Sequence, residues 1–345
     1  LRRAAGVRTA VGRRSLSRGW YVYVGRARGR LRQRLARHMG RRKRAHWHID
    51  DLLDEADVAD VQVRFRADAE SECVLAGEVA VWHGASAVAG FGAGDCRCRT
   101  HLFRFSRRPG VSLLEERVRT SLPVMFERLE ARYENHASAD RDPFRTLVTC
   151  ILSLRTRDPV THAASERLFG QLSTPEAFAR ADPSRIADLI HPVGMYRQKA
   201  ARLVEIGRRL CADFDGRVPS GLEALSGLPG VGRKTANLVR SFAFHLPAVC
   251  VDTHVHRITN RWGLVRTAAP DDTEGELRRC LPERYWAGIN PYLVQHGQQV
   301  CRPQRPACEQ CFLAGLCRYE DVRRERALLD RVPGAPPHPA LKHLS

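Results

Sequence analysis

The sequence predicts a multidomain chain: a small α/β domain over residues 1–108, an all-α domain over 109–322, and a disordered tail over 323–345. Three observations lead there. Up to about residue 105, short apolar runs are bounded by glycines, as strands and turns require. From about residue 112, apolar residues recur at helical spacing behind repeated acceptor–proline pairs. Near the end, four cysteines fall between residues 301 and 317. A length of 345 residues gives both larger parts enough interior to bury a core.

In the first part, residues 19–25 enclose an apolar strand between two glycines, and residues 31–38 follow as a short basic helix. Residues 61–65 alternate polar and apolar side chains, as a half-buried strand does. A Gly/Ala-rich stretch leads through residues 92–98 to another strand candidate at 102–105, and residues 106–110 read as a linker. In the second part, Asp142-Pro143, Asp158-Pro159, Thr174-Pro175 and Asp182-Pro183 each offer an N-cap acceptor with proline in the first turn. Phe144, Leu147, Val148, Ile151 and Leu152 then line one helical face. Ser220 to Glu223 has the spacing of a capping box. After Tyr319 the chain turns charged and then proline-rich, which predicts the tail.

Charge is concentrated at one end. The chain has 57 basic and 38 acidic residues, net +19, and residues 1–50 hold 16 of the basic ones with a single acid, Asp50. Such a block suits a polyanion, nucleic acid above all, although a solvated surface is the plainer reading. No apolar stretch is long enough to span a bilayer and no secretory segment is seen, so the expectation is a cytoplasmic, DNA-associated monomer. Eleven cysteines, an odd number, argue against a secreted disulfide framework. Seven are dispersed; Cys301, Cys308, Cys311 and Cys317 ask for a metal.

The segment from Leu228 through Pro229, Gly230, Val231, Gly232, Arg233 and Lys234 lies between a short helix and an amphipathic one bearing Leu238, Val239 and Phe242. Proline and two glycines make a tight hairpin, and the N–H groups opening the second helix form a nest for one phosphate. This is the helix-hairpin-helix pattern, a clamp on the DNA backbone; a bare glycine turn is the alternative. Lys234 is one of only four lysines against 53 arginines. Arginine serves for phosphate elsewhere, whereas only an amine with an accessible neutral form attacks carbon to make a Schiff base. Plain phosphate binding is the other role open to Lys234, and Lys199 is the rival nucleophile. Asp252 is either an N-cap or a carboxylate that stabilises positive charge on a sugar. The cysteine loop holds a single CxxC and suits an iron–sulfur cube better than paired zinc knuckles.

Residues from about 112 to 322 resemble endonuclease III, of the helix-hairpin-helix DNA glycosylase superfamily. The resemblance rests on Ile151-Leu152-Ser153, Gly194-Met195-Tyr196, the hairpin at 228–236, Val251-Asp252-Thr253-His254 and the four-cysteine loop. It implies two helical domains with a DNA-binding cleft between them and a [4Fe–4S] cluster on the four cysteines. It also implies Lys234 as the Schiff-base nucleophile, Asp252 as the catalytic carboxylate, and DNA contacts from the hairpin, Met195 and Arg155. Arg155 departs from the pattern: many members have glutamine in this segment, which fills the gap left by a flipped base. The first 105 residues resemble an uncharacterised GIY-YIG-like domain through Tyr23-Val24-Gly25, Arg34 and His38 on the basic helix, the block at 46–50, and Glu72 in the place of a metal-binding acid.

The expected function is a bifunctional DNA glycosylase and abasic-site lyase of base excision repair. Its substrate would be double-stranded DNA with oxidised pyrimidines or abasic sites, cleaved by β-elimination. Two other classes stay open: a DNA-binding scaffold without catalysis, and a metal-dependent GIY-YIG-type nuclease working through the N-terminal residues.

Overall fold

The computed structural model describes residues 1–9, 12–27, 29–40, 48–63, 72–82, 84–94, 96–109, 113–134 and 142–336. Residues 46 and 47 of the block at 46–50, residue 110 of the linker and the tail beyond residue 336 lie outside the described residues.

Strands β1 (Ala5–Thr9) and β2 (Gly12–Leu16) pair antiparallel, with Ala5 opposite Leu16. Ala5, Val7 and Leu16 turn inward while Arg8, Arg13 and Arg14 face water. The sequence reading contains no strands here, because the arginines dilute the apolar alternation. A second, antiparallel sheet has the order β3 (Trp20–Tyr23), β5 (Leu102–Phe105), β4 (Ser86–Ala87). Period-two alternation along β5 sends Leu102 into a core with Val7, Ile49, Leu52 and Phe91, and sends Phe103 and Phe105 into another with Val24, Ala76 and Val79. Helix α1 (Leu31–Met39) is the expected basic helix, α2 (His48–Glu55) supplies Ile49 and Leu52, and α3 (Glu72–Ala80) supplies Ala76 and Val79. The strand expected at 61–65 does not form over its described residues, 61–63. Four of the 16 basic residues of the block face acids: Arg2, Arg3, Arg8 and Arg37 pair with Asp57, Glu55, Asp51 and Asp50.

The helical part has two cores. The first is built by α5 (Pro143–Ser153), α6 (Asp158–Phe169), α7 (Pro175–Arg180), α8 (Pro183–Ile190), α9 (Tyr196–Asp213), α10 (Leu222–Ser226) and α11 (Arg233–Phe242). The second joins the end of α4 (Leu113–Arg132) to α12 (Thr253–Trp262), α13 (Pro270–Cys280), α14 (Trp286–Gln299) and the cysteine loop. The chain therefore leaves the second core after α4 and re-enters it at Val249 and Val251.

Three of the four predicted caps form: Asp142, Thr174 and Asp182 accept from the backbone N–H of Arg145, Ala177 and Ser184 at 2.6, 3.3 and 2.9 Å. Two expectations fail by register. Asp158 is already the first residue of α6, behind an Arg157 cap, and α10 starts behind Gly221, so Ser220 caps nothing. The tail is also corrected. Helix α15 (Tyr319–Leu329) runs past residue 322, burying Val322, Glu325 and Leu329 along one face. Glu325 accepts from the Val63 N–H at 2.7 Å and from Arg266 at 3.0 Å, and Arg266 also reaches Asp60 at 3.2 Å. This charged cluster ties the N-terminal part to the helical one. No helix among the described residues is long and apolar enough to cross a membrane.

Candidate active site and cysteine loop

The hairpin stands on its two apolar residues: Leu228 and Val231 are buried, while Gly230 and Gly232 face out. Gly230 has φ +75°, a conformation open to glycine, and a Cβ there would meet the Arg202 side chain at 3.1 Å. Gly232 is the N-cap of α11 and offers no side chain to its first-turn N–H groups, which stay available to an anion. Arg233, expected as a DNA contact, pairs with the buried Glu274 of α13 through Nε at 3.1 Å and Nη2 at 2.6 Å. Its charge is largely answered inside the protein.

Lys234, one residue on, is exposed. Asp252 is the N-cap of α12, its Oδ1 accepting from the N–H groups of His254 at 2.8 Å and Val255 at 2.9 Å. The cap occupies one oxygen only; among the described residues Oδ2 accepts no hydrogen bond. Between the two lies Cys250, whose thiol donates to the Lys234 carbonyl at 3.7 Å. Burial pushes that thiol up, with Lys234 and Asp252 acting on it in opposite directions. The His254 imidazole is held down by burial and feels the same two charges. An amine and a carboxylate thus share one neighbourhood at two helix N-termini, where the first core gives way to the second.

Lys199 is elsewhere and otherwise engaged. It is 3% exposed, and its Nζ donates to the carbonyls of Leu152 at 2.8 Å and Leu154 at 2.6 Å and to Thr156 Oγ1 at 3.2 Å. Burial, then Arg202, pushes its ammonium down to about 8. Thr156 Oγ1 also accepts from the Gly194 N–H at 3.1 Å. Gly194 must be glycine, since a Cβ would lie 2.6 Å from the Arg155 carbonyl. Two loops are locked together in this way, and each exposes one residue in the left-handed conformation: Arg155 at φ 54° and Met195 at φ 57°. Strained non-glycine residues concentrate at functional sites. Sequence reasoning missed the clamp; the only trace was a lone lysine beside a turn.

Cys301 follows α14, Cys308 opens a short 3₁₀ turn ending at Gln310, and Cys311 and Cys317 bracket the buried Leu313. Two arginines of α12 grip the loop. Arg257 donates to the Cys301 carbonyl at 2.9 Å, and Arg261 donates to Cys301 Sγ at 3.2 Å and to the Arg302 and Pro303 carbonyls, both at 2.6 Å. Arg261 also lies 4.8 Å from the Tyr319 ring centroid.

The family model described as iron–sulfur binding domain of endonuclease III matches residues 301–317, and that of the HhH-GPD superfamily base excision DNA repair protein matches 148–283. Endonuclease III of Thermotoga maritima is 52% identical over 193 residues, 56% of this chain and 91% of that protein. The chain belongs to the endonuclease III family. Endonuclease III homolog 1, chloroplastic, of Arabidopsis thaliana is 44% identical over 183 residues, half of this chain and 48% of its own length. A solved structure titled as a trapped endonuclease III–DNA covalent intermediate is similar with TM-score 0.56 and 31% identity, over 62% of this chain and all of that one. Residues 3–122 match a domain of unknown function, DUF123.

This endonuclease III family member is therefore a DNA glycosylase of base excision repair, and its cofactor is a [4Fe–4S] cluster. The cysteine loop fits that group. Arg257 and Arg261 are 7% and 1% exposed, and among the described residues neither has a carboxylate partner and Arg261 Nε has no hydrogen-bond partner. Two buried cations gathered at Cys301 complement a cluster whose thiolates bring excess negative charge.

In the N-terminal part, Tyr23, Arg34 and Glu72 come together around residue 26. Arg34 donates to the Arg26 carbonyl, Glu72 accepts from the Arg26 N–H at 2.8 Å, and burial raises Tyr23, which also feels Arg34 and Glu72. His38 turns instead to Asp50, with its Nδ1 at 3.0 Å, and burial holds it below the usual range. Three cysteines read as dispersed, Cys73, Cys96 and Cys98, converge with His101. The spacing Cys96-x-Cys98-x2-His101 was the signal that could have found them.

Proposed function

We propose that this chain is a bifunctional DNA glycosylase and abasic-site lyase acting on damaged pyrimidines in duplex DNA. The observation that carries the reading is the exposed Lys234 amine and the half-engaged Asp252 carboxylate at adjoining helix starts, beside a hairpin suited to phosphate. A damaged nucleotide must leave the stack before its anomeric carbon can be reached. The Lys234 amine attacks that carbon, the glycosidic bond breaks, and the base departs with a proton. Asp252 has one oxygen fixed by the cap, which leaves the other for the positive charge developing on the sugar and for the proton of the amine. The sugar ring then opens, its oxygen taking a proton as the bond to the attacked carbon breaks, and the adduct becomes an imine. The imine acidifies the neighbouring sugar carbon, and loss of that proton expels the 3′ phosphate. Gly230 and Gly232 let the DNA backbone approach, while Arg155 and Met195 occupy the gap left by the nucleotide. Cys301, Cys308, Cys311 and Cys317 hold the cluster, which braces the loop. Residues 1–108 act as a separate domain whose remaining positive charge adds affinity for undamaged DNA.

Borohydride trapping on duplex DNA with one thymine glycol tests the chemistry. The full chain is expected to form a covalent adduct, and Lys234→Ala to bind without forming one. An adduct that persists in Lys234→Ala and disappears in Lys199→Ala moves the reaction to the other lysine. Binding with neither adduct nor strand cleavage leaves a scaffold.

A further inference from the structure

Outside the glycosylase site, the N-terminal part holds a second set of metal-ligating side chains. Cys73 lies in the first turn of α3, Cys96 and Cys98 on the loop ahead of β5, and His101 at the end of that loop. One ligand atom from each lies within 4.8 Å of all the others, and this is the one such group of three or more among the described residues. Cys96 Sγ is 3.5 Å from His101 Nε2, so that nitrogen faces the thiols. A tetrahedral ion with bonds of about 2.3 Å to sulfur and about 2.0 Å to nitrogen sets those two ligands about 3.5 Å apart.

The surroundings are arranged as a metal site requires. His101 is 1% exposed, and its other ring nitrogen, Nδ1, lies 3.6 Å from Glu72 Oε1. A carboxylate behind a ligating imidazole fixes its tautomer and orientation. Glu72 is held in turn by the Arg26 N–H. Backbone and one hydroxyl shape the loop: the His101 N–H donates to the Phe91 carbonyl at 2.8 Å, the Gly90 N–H to the Arg99 carbonyl at 2.9 Å, and the Thr100 side-chain hydroxyl to the Val88 carbonyl at 2.5 Å. Among the described residues the core under α3 has five buried members, and a core this small gains much from a metal staple.

We propose that Cys73, Cys96, Cys98 and His101 bind one zinc ion in a closed, structural site. Three thiolates and an imidazole are a zinc set by softness and geometry, and four protein ligands leave no position open for catalytic water. The site staples α3 to the start of β5 and holds Glu72 beside Tyr23 and Arg34. Glu72, expected from the sequence as a metal-binding acid, then serves as the support of a ligand.

Metal analysis and zinc-edge X-ray absorption on the full chain, purified without chelators, test this. About one zinc per chain is expected alongside the iron, with three sulfurs and one nitrogen around it. The double variant Cys96→Ser/Cys98→Ser should lose zinc about tenfold and keep its iron. Zinc retained by that variant, zinc surrounded by four sulfurs, or a soluble wild type holding iron and no zinc overturns the proposal. Should the double variant fail to fold, His101→Cys decides: the nitrogen shell must give way to a fourth sulfur, and an unchanged shell refutes the site.

Discussion

Substitution at Asp252 separates the two uses of one carboxylate. Asn keeps an oxygen for the cap and removes the charge; Ala removes both. Asp252→Asn should unfold within about 0.5 kcal/mol of wild type, while Asp252→Ala loses about 1 kcal/mol more. Both should slow base release, by roughly a hundredfold or more in a single turnover. Full activity in Asp252→Asn would leave the residue as a cap alone. Lys199 yields a pH prediction. Its ammonium is held down at about 8 in the fold, whereas an unfolded chain keeps the proton until about 10.4. The unfolded state therefore binds more protons between those values, and folded stability from this group rises with pH there. Below pH 8 its cost is present in full. In urea unfolding, the advantage of wild type over Lys199→Met should grow from pH 7.5 to 9.5, by at most ~1.4 kcal/mol per unit; a shrinking gap contradicts the assignment.

Within the hairpin element, the two glycines have different reasons to be glycine. Gly230→Ala forces a left-handed alanine against Arg202 and should cost about 1–2 kcal/mol of stability. Gly232 has an ordinary φ of −91° and open space where a Cβ would stand, so Gly232→Ala adds no backbone strain. It should lose only about 0.5–1 kcal/mol, the margin by which alanine is a poorer N-cap than glycine. That open space is where a phosphate would approach, so the same variant should bind undamaged duplex DNA several-fold more weakly. Fluorescence anisotropy beside thermal unfolding checks both halves. Elements of this kind were legible before the structure because their signals are local: proline after an acceptor, glycine in a turn, apolar residues at helical spacing. The Lys199 clamp, the Arg233–Glu274 pair and the buried Arg257 and Arg261 were not legible. Each joins residues dozens of positions apart, and a charged side chain read alone looks like surface. The same blindness hid β1, β2 and α15, whose buried faces are interleaved with arginine and glutamate.

At the scale of the whole molecule, deleting residues 1–108 should weaken binding to undamaged DNA and flatten its salt dependence, each lost phosphate contact removing about one unit of slope. The change should be smaller than the 16 basic residues suggest, because Arg2, Arg3, Arg8 and Arg37 already face acids. Single-turnover cleavage of a saturating substrate should change little; loss of the chemical step in a soluble, iron-loaded truncation would place the N-terminal part in the active site. Helix α15 adds a second effect. At one end Tyr319 stacks on the arginine that touches Cys301, and in the middle Glu325 receives the Val63 N–H. An eleven-residue helix that answers to both partners cannot be steadied by one without helping the other. Thermodynamic linkage makes the debt mutual: whatever free energy the cluster lends to docking of the N-terminal part, that part returns as protection of the iron. The truncated protein should therefore hold its iron about fivefold less tightly in equilibrium competition with a chelator, although none of the described residues before 109 touches a cluster cysteine.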